Sequence, residues 1–209
     1  MRIVKLDKNT GRSVIQASGA LRAGGVIIYP TDTLYGLGAD AFSEEAVAKI
    51  YSIKGRDTEK PLHCVVSDLE MAAEYVELND VARKLADEFL PGPLTIILKK
   101  RAGLNTGIAR GIDSIGIRIP NNDFCTELAK AFGRPYTATS ANKAGAENVL
   151  SIAEINAQLG EAMNAIDLVI DAGTLPMSLP STVVNLYSGS PVILRAGAIS
   201  VDEIQRVTS

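Results

Sequence analysis

Two short polar blocks contain the residues best suited to chemistry, and each follows a run of apolar residues. The first contains Lys54, Arg56 and, slightly further on, Lys60, and the second contains Ser140 and Asn142. A lysine is a compact point charge and an arginine is a bidentate fork, so the first block suits phosphate oxygens. A hydroxyl and an amide at a strand end add polar contacts. If both blocks face one cavity, they predict a polyphosphate site.

Each block also has a simpler interpretation. Lysines and arginines favour the C-terminal ends of helices because they interact with the helix dipole, and Gly55 is expected to end such a helix. If the chain is extended there, residues i and i+2 share a face, which would aim Lys54 and Arg56 at one anion. Ser140 and Asn142 are equally suited to a local turn in which they bond their own backbone. Both interpretations stay open for both blocks.

Two further arginines and one loop are candidate ligand contacts. Arg118 lies between Ile117 and Ile119 in an apolar strand pattern and therefore needs an anionic partner. That partner is a substrate carboxylate or a carboxylate of the protein, and the second case would count against a substrate role. Arg195, at the end of another apolar run, raises the same question. The polar loop 31–41 follows a buried strand, where ligands often bind, although its hydroxyls would also suit a self-satisfied turn.

The composition limits the class of protein. A chain of 209 residues with 46% hydrophobic residues predicts one globular domain, residues 1–209. The net charge of −3 argues against a protein that mainly coats nucleic acid. Cys64 and Cys125 both lie in apolar patterns, which predicts buried, reduced thiols in a cytoplasmic protein. The apolar runs are shorter than the roughly 18 residues that a membrane span needs, so no membrane partner is expected.

Other common sites fit poorly. His63 is the only histidine, and the two cysteines are widely separated, so no zinc-binding pattern is present. We expect His63 to be a packed or hydrogen-bonded core residue of a strand. Gly36 and Gly38 imitate part of a dinucleotide fingerprint, but six residues separate the first glycine from the preceding strand. There is also no Walker loop.

The order of the patterns predicts the fold. Helical and strand patterns alternate over the first two thirds of the chain, and a strand-rich region follows. The count is about eight strands and six or seven helices. This order predicts an α/β fold with a single open sheet of mixed strand direction and flanking helices.

Taken together, seven segments resemble the YrdC-like family, the threonylcarbamoyl-AMP synthases. They occur in order, at residues 29–37, 54–62, 91–95, 116–120, 139–142, 180–184 and 194–197. The resemblance implies an open, twisted α/β sheet whose concave, basic face holds the site. Because the given sequence ends soon after the last segment, we expect the short form of the family, without the extra C-terminal domain.

The resemblance also implies an activity. The family's nucleotidyltransferases join L-threonine, bicarbonate or CO2, and ATP into L-threonylcarbamoyl-AMP and pyrophosphate, with Mg²⁺ expected alongside ATP. This is the first step toward N6-threonylcarbamoyladenosine (t6A) at position 37 of tRNA, so the machinery that transfers the group to tRNA is an expected partner. Two alternatives stay open: a protein that binds double-stranded RNA or tRNA without synthase activity, and a paralogue that acts on another carboxylic substrate.

Site roles follow from the resemblance by position in this chain. The catalytic, ATP-binding tetrad is expected at Lys54, Arg56, Ser140 and Asn142. Further nucleotide contacts are expected at Lys60 and Arg195. Contacts to threonine are expected at Thr33, Arg118 and Ser181, with Arg118 facing the carboxylate. No metal-binding residue is assigned.

Overall fold

The computed structural model describes residues 1–6, 9–58 and 60–208. Over these residues the chain forms ten strands and seven α-helices. The strands are β1 (Arg2–Lys5), β2 (Ile27–Pro30), β3 (Tyr35–Gly38), β4 (His63–Val65), β5 (Leu94–Lys99), β6 (Ser114–Arg118), β7 (Tyr136–Ser140), β8 (Leu168–Asp171), β9 (Thr182–Asn185) and β10 (Val192–Arg195). The helices are α1 (Gly11–Arg22), α2 (Glu44–Lys54), α3 (Leu69–Tyr75), α4 (Asp80–Phe89), α5 (Asp123–Phe132), α6 (Ile152–Leu159) and α7 (Val201–Thr208).

The strands form one sheet in the order β1-β8-β2-β3-β7-β4-β6-β5-β9-β10. Strand β8 is parallel to β1 and β2, β6 is parallel to β4, and β9 is parallel to β5. The other neighbouring strands are antiparallel. The predicted α/β fold with a mixed sheet is therefore confirmed, whereas the predicted count of about eight strands is too low.

Strand β3 is the main error of the prediction, which treated residues 31–41 as a loop. Residues Tyr35–Gly38 instead pair with β2 on one side and β7 on the other. Glycines weaken strands, and here close packing explains them. A Cβ on Gly36 would lie 2.6 Å from Cζ of Tyr29, and a Cβ on Gly38 would lie 2.9 Å from Cγ1 of Ile27. The neighbouring strand's side chains thus occupy the space above both glycines.

Local signals set the ends of the helices that flank the site. The Ser43 hydroxyl accepts a hydrogen bond from the Ala46 amide at the start of α2, and the Asn122 side chain caps α5 in the same way. Gly55, with φ of 56°, ends α2 in the left-handed conformation that favours glycine. The chain therefore turns sharply immediately before Arg56.

Hydrophobic cores lie on both faces of the sheet. Ile28 and Tyr29 are consecutive residues of β2, yet they belong to separate buried clusters, as expected for side chains that alternate across a strand. Helices α1 and α5 pack on the cluster that contains Tyr29. Within the described ranges, no helix has the length and apolar character needed to cross a membrane.

Candidate functional site

A cleft of ≈ 820 Å³, including its part open to solvent, lies over the middle of the sheet. Three guanidinium groups line it, from Arg56, Arg118 and Arg195. Hydroxyl groups line it as well, from Thr31, Thr33, Thr95, Thr139, Ser140 and Ser181. Among the described residues, the lining contains no carboxylate. An acid-free cavity with three cations attracts ligands that carry several negative charges.

Arg118 has a protein carboxylate as its partner. Its Nη2 atom donates to Oδ1 of Asp32 at 2.6 Å and to Oγ1 of Thr33 at 2.9 Å. Both charged side chains are nearly buried, with 11% and 12% of their surface exposed. The question left open by the sequence is thus answered in favour of an internal acid. This pairing counts against Arg118 as the sole counter-charge of a substrate carboxylate.

Two threonines of the β2–β3 connection have different surroundings. The Thr31 hydroxyl accepts from the Thr33 and Leu34 amides at 3.0 and 3.1 Å and contacts the Leu34 carbonyl at 2.7 Å. The interpretation as a self-satisfied turn is therefore correct for Thr31. The Thr33 hydroxyl lies 3.1 Å from the Thr31 hydroxyl and also accepts a hydrogen bond from Arg118, and both threonines border the cleft. Thr33 therefore links this turn to Arg118 at the edge of the cleft.

Arg195 reaches the cleft from β10 and holds Ser181. It donates to the Ser181 carbonyl from Nε and Nη2 at 3.0 and 2.8 Å, and to the Ser181 hydroxyl at 2.9 Å. That hydroxyl also lies 3.1 Å from Oγ1 of Thr95. Burial, followed by the charges of Arg118 and Arg56, lowers the pKa of Arg195. The three guanidinium groups are thus close enough to repel one another, which a bound anion would relieve.

Arg56 lies at the opposite rim. Its guanidinium donates to the backbone carbonyls of Lys60 and Pro61 at 3.3 and 3.0 Å, which holds its base while the group borders the cleft. Lys60 is exposed, and its side chain is absent from the described lining. Lys60 therefore serves the site through its carbonyl, which holds Arg56, rather than through its ammonium group.

Lys54 and Asn142 lie behind the wall of the cleft. The Lys54 ammonium donates to the Ser140 carbonyl, to the Asn142 carbonyl at 2.7 Å and to Oδ1 of Asn142 at 3.1 Å. Ser140 donates from Oγ to the same Oδ1 at 2.5 Å, and the Asn142 amide donates to the Ala146 carbonyl at 2.8 Å. Only Ser140 of these three lines the cleft. Burial, helped by Arg56, lowers the pKa of Lys54 to about 7.

The prediction that Lys54 and Arg56 aim at one anion from an extended segment is therefore wrong. Lys54 is the last residue of α2, and the left-handed Gly55 separates it from Arg56. The two side chains leave the backbone in different directions, toward the loop after β7 and toward the cleft. The i, i+2 rule applies only to extended chain.

His63 is also misplaced by the sequence prediction, which put it in the core. It lines the cleft from β4, between β6 and β7. Its Nδ1 atom is buried without a hydrogen-bond partner, and burial together with the charges of Arg195 and Arg56 lowers the pKa of His63 to about 4. The strand pattern correctly placed His63 in a strand, but it could not show whether the side chain faces the core or the cleft.

Unsatisfied polar atoms concentrate at the cleft. In the described parts of the chain, four buried side-chain atoms lack a partner, namely Oδ2 of Asp32, Nδ1 of His63, Nε of Arg118 and Oε1 of Gln158. Three of the four belong to or adjoin the cleft. Because such atoms are costly, their grouping beside the cleft indicates a part of the sheet that serves binding rather than stability.

Sequence reasoning assigned no role to Thr95 or to the segment 172–180. Ser178 donates from Oγ to the Thr33 carbonyl at 2.7 Å, and the Tyr35 hydroxyl accepts from the Ala172 amide at 2.9 Å. The segment therefore lies over the β2–β3 connection. Its length without a strand or helix pattern was the available signal, since such loops often carry function.

Comparisons with known proteins identify the family of this chain. The Sua5/YciO/YrdC family model, described as "Telomere recombination", matches residues 19–197. A Methanocaldococcus jannaschii protein is 38% identical over 99% of this chain and 96% of its own length. The chain belongs to the Sua5/YciO/YrdC family. The resemblance carried by the seven segments is thus confirmed.

The names and structures of relatives in this family give more detail. The M. jannaschii protein bears the provisional name threonylcarbamoyl-AMP synthase. The threonylcarbamoyl-AMP synthase of Pyrococcus abyssi is 34% identical over 91% of this chain, which spans only 56% of that protein. A crystal structure of P. abyssi Sua5 complexed with L-threonine superposes with a TM-score of 0.88, at 32% identity, over 99% of this chain and 60% of that one.

Proposed function

We propose that this protein is a nucleotidyltransferase that makes L-threonylcarbamoyl-AMP from L-threonine, bicarbonate or CO2, and ATP. The observation that carries the proposal is the acid-free cleft with three guanidinium groups, which suits a triphosphate next to a carboxylate. The P. abyssi relative that was crystallised with L-threonine supports threonine as the second substrate. We further propose that residues 1–209 form one domain.

The chemistry needs positioning more than covalent catalysis. The threonine amine adds to CO2 and loses a proton, which gives a carbamate. A carbamate oxygen then attacks the α-phosphorus of ATP, the bond to the bridging oxygen of the β-phosphate breaks, and pyrophosphate leaves. In this proposal Arg56 and Arg195 neutralise charge on the phosphates, and the Ser140 hydroxyl contacts them. Thr33, Ser181 and the unused N–H groups of Arg118 contact threonine.

The buried network gives Lys54 and Asn142 an indirect role in this reaction. Lys54 donates to both backbone carbonyls that flank the turn after Ser140, and Asn142 accepts from the Ser140 hydroxyl. We therefore propose that both are positioning residues that fix Ser140. Lys60 contributes its carbonyl to Arg56. In this proposal Lys54, Asn142 and Lys60 support the site indirectly, whereas the resemblance implied that they contact the nucleotide.

The remaining expectations belong to the same proposal. Within the described ranges there is no group of three potential metal ligands, and the lining has no carboxylate, so the residues do not fit a resident Mg²⁺ site. Mg²⁺ would enter as part of the ATP complex, as substrate. The product would pass to the enzymes that transfer it to tRNA. The buried free thiols of Cys64 and Cys125 fit a reducing, cytoplasmic setting.

Pyrophosphate release tests the proposal. The purified protein is incubated with ATP, bicarbonate, Mg²⁺ and each amino acid in turn, and the adenylate product is identified by mass spectrometry. We expect release that depends on threonine. Arg56→Ala should lower kcat/KM roughly 100-fold, because it removes a charge-assisted contact in the transition state. Arg110→Ala is the matched control, since that exposed arginine pairs with Glu44 far from the lining.

Other outcomes point elsewhere. Release with a different carboxylic acid would support a paralogue, and salt-sensitive binding of double-stranded RNA or tRNA without turnover would support the RNA-binding alternative. Wild-type turnover in Arg56→Ala would overturn the assignment of that residue.

A further inference from the structure

We propose that His63 is a substrate-contacting residue whose neutral imidazole donates a hydrogen bond from Nε2 to an anionic oxygen of the substrate. The oxygen is the one that Arg56 and Arg195 attract into the cleft. Its identity as a phosphate or carbamate oxygen rests on the proposed function, which the inference deepens by adding an uncharged donor to a cluster of cations.

The imidazole ring of His63 packs over a glycine of the neighbouring strand. His63 is the register partner of Gly116 in β6. A Cβ on Gly116 would lie 2.0 Å from Nδ1, 2.8 Å from Cγ and 2.9 Å from Cε1 of His63. Gly116 has no positive φ, so space for the ring, rather than backbone conformation, requires glycine there. The ring is therefore held with its Nδ1 corner against the sheet.

The packing of the ring on Gly116 determines which of its two nitrogens can contact a ligand. Nδ1 is buried without a partner, while the residue as a whole lines the cleft and is only partly buried. The ring edge away from Gly116 carries Nε2, so that edge is the one that reaches the cavity. A neutral imidazole has a single N–H, and placing it on Nε2 gives the proton an accessible partner. The buried Nδ1 is then the nitrogen without a proton.

Electrostatics keep the ring uncharged before a ligand binds. Burial first, and then the charges of Arg195 and Arg56, lower the pKa of His63 to about 4. A fourth cation would add to the repulsion that already lowers the pKa of Arg195. A neutral donor avoids this repulsion and still offers a proton to an oxygen. When an anion binds, its charge should raise the pKa of His63.

A simpler explanation is that His63 only fills the space above Gly116. The two explanations differ in their response to ligand, because a filler makes no contact with it. The chain has one histidine, so a sample labelled with ¹⁵N-histidine gives a single imidazole spin system. This makes the ring directly observable by NMR.

The first experiment titrates the labelled protein with ATP alone, with pyrophosphate alone and with ATP plus threonine, while calorimetry follows saturation. We expect a single proton on Nε2, a shift of that N–H on saturation and a higher pKa in the complex. An imidazole signal that stays fixed at full saturation by ATP and threonine would overturn the inference. Because ATP and pyrophosphate are tested separately, this result does not depend on threonine turnover.

The second experiment compares two substitutions in the turnover assay. His63→Leu should lower kcat/KM about 100-fold, because it removes a donor from the transition state. His63→Gln keeps an N–H near the position of Nε2 and should recover most of the loss. Thermal unfolding shows whether each variant is folded. Equal activity of the wild type and a folded His63→Leu would contradict the inference while leaving the proposed synthase activity intact.

The contact between Gly116 and His63 can be tested in a third experiment, which measures protein stability. Gly116→Ala should disturb the ring, since its Cβ would overlap Nδ1. In the His63→Ala background the same change should cost little stability, because the overlapping atoms are gone. Additive losses of stability in this cycle would show that Gly116 has another purpose and would remove the argument for a fixed Nε2 orientation.

Discussion

Around the Lys54 ammonium group the polar side chains have protein partners, whereas three buried atoms of Asp32, His63 and Arg118 have none within the described chain. Both regions border one cleft, and both contain charged groups taken out of water. They differ in whether protein groups satisfy all of their hydrogen-bonding atoms. The Lys54 network satisfies Ser140 and Asn142 from within, while the Asp32–Arg118 pair is joined through a single pair of atoms.

This difference separates positioning from recognition. A satisfied network fixes geometry before any ligand arrives, and it needs no ligand to persist. Unsatisfied buried atoms destabilise the protein and are kept where binding repays the cost. We therefore interpret the Lys54 network as the fixed wall of the cleft, and the region around Arg118 and His63 as the part that a substrate completes.

Asp32→Asn should have the largest effect. Removing one partner of a buried ion pair leaves the Arg118 charge uncompensated, which should lower the free energy of unfolding by about 3–5 kcal/mol. If a substrate carboxylate can also pair with Arg118, saturating ATP and threonine should recover part of this loss. Urea unfolding with and without substrates measures both quantities.

Glu44→Gln is the control for Asp32→Asn, because it breaks the exposed pair with Arg110 and should cost less than about 1 kcal/mol. An equal loss in Asp32→Asn with and without substrates would mean that Arg118 serves only the structure.

Lys54→Met should have an intermediate effect on stability. The substitution keeps the length of the side chain but leaves the carbonyls of Ser140 and Asn142 without their donor, which should cost about 1–3 kcal/mol. Turnover should also fall, because the Ser140 turn loses its anchor. Lys49→Met is the matched control on the same helix, where the exposed ammonium donates to the Gly24 carbonyl. Equal losses in both variants would refute the positioning role.

Measured over a single pH unit, the pH dependence of stability should show the smallest of these effects. The pKa of Lys54 is about 7 in the folded protein, well below the ordinary value of a lysine. The unfolded chain therefore binds the extra proton above pH 7, and stability should rise from there toward pH 10, by at most about 1.4 kcal/mol per pH unit for one proton. Below pH 7 this contribution should be flat. The difference between wild-type and Lys54→Met unfolding curves isolates it.

Local signals in the sequence predicted most of the fold. The ending of α2 at Gly55 was predicted correctly, because it depends on a few neighbouring residues. Strand β3 was missed because its two glycines read as loop residues. The side chains of Tyr29 and Ile27 on the neighbouring strand explain these glycines. These contacts are tertiary and leave no local signal.

The site was harder to predict for the same reason. The polar residues of the two blocks were identified from residue type, but residue type does not show where a side chain points. Lys54 and Arg56 separate because a helix ends between them, and Arg118 meets Asp32 across 86 residues of sequence. His63 lines the cleft although it lies in an apolar strand pattern. Each of these side-chain positions depends on the tertiary packing of helices and strands that are distant in the sequence.

The order of strands in the sheet has a consequence for how the protein is made. Strand β1 pairs with β8, joining Arg2 to Leu168, and β5 pairs with β9, joining Leu94 to Thr182. Pairings between such distant segments make folding slow. Strand β10, which supplies Arg195, follows both of these late partners along the chain. During synthesis on the ribosome, the nascent polypeptide must therefore remain without a complete binding cleft until the residues up to Arg195 have emerged.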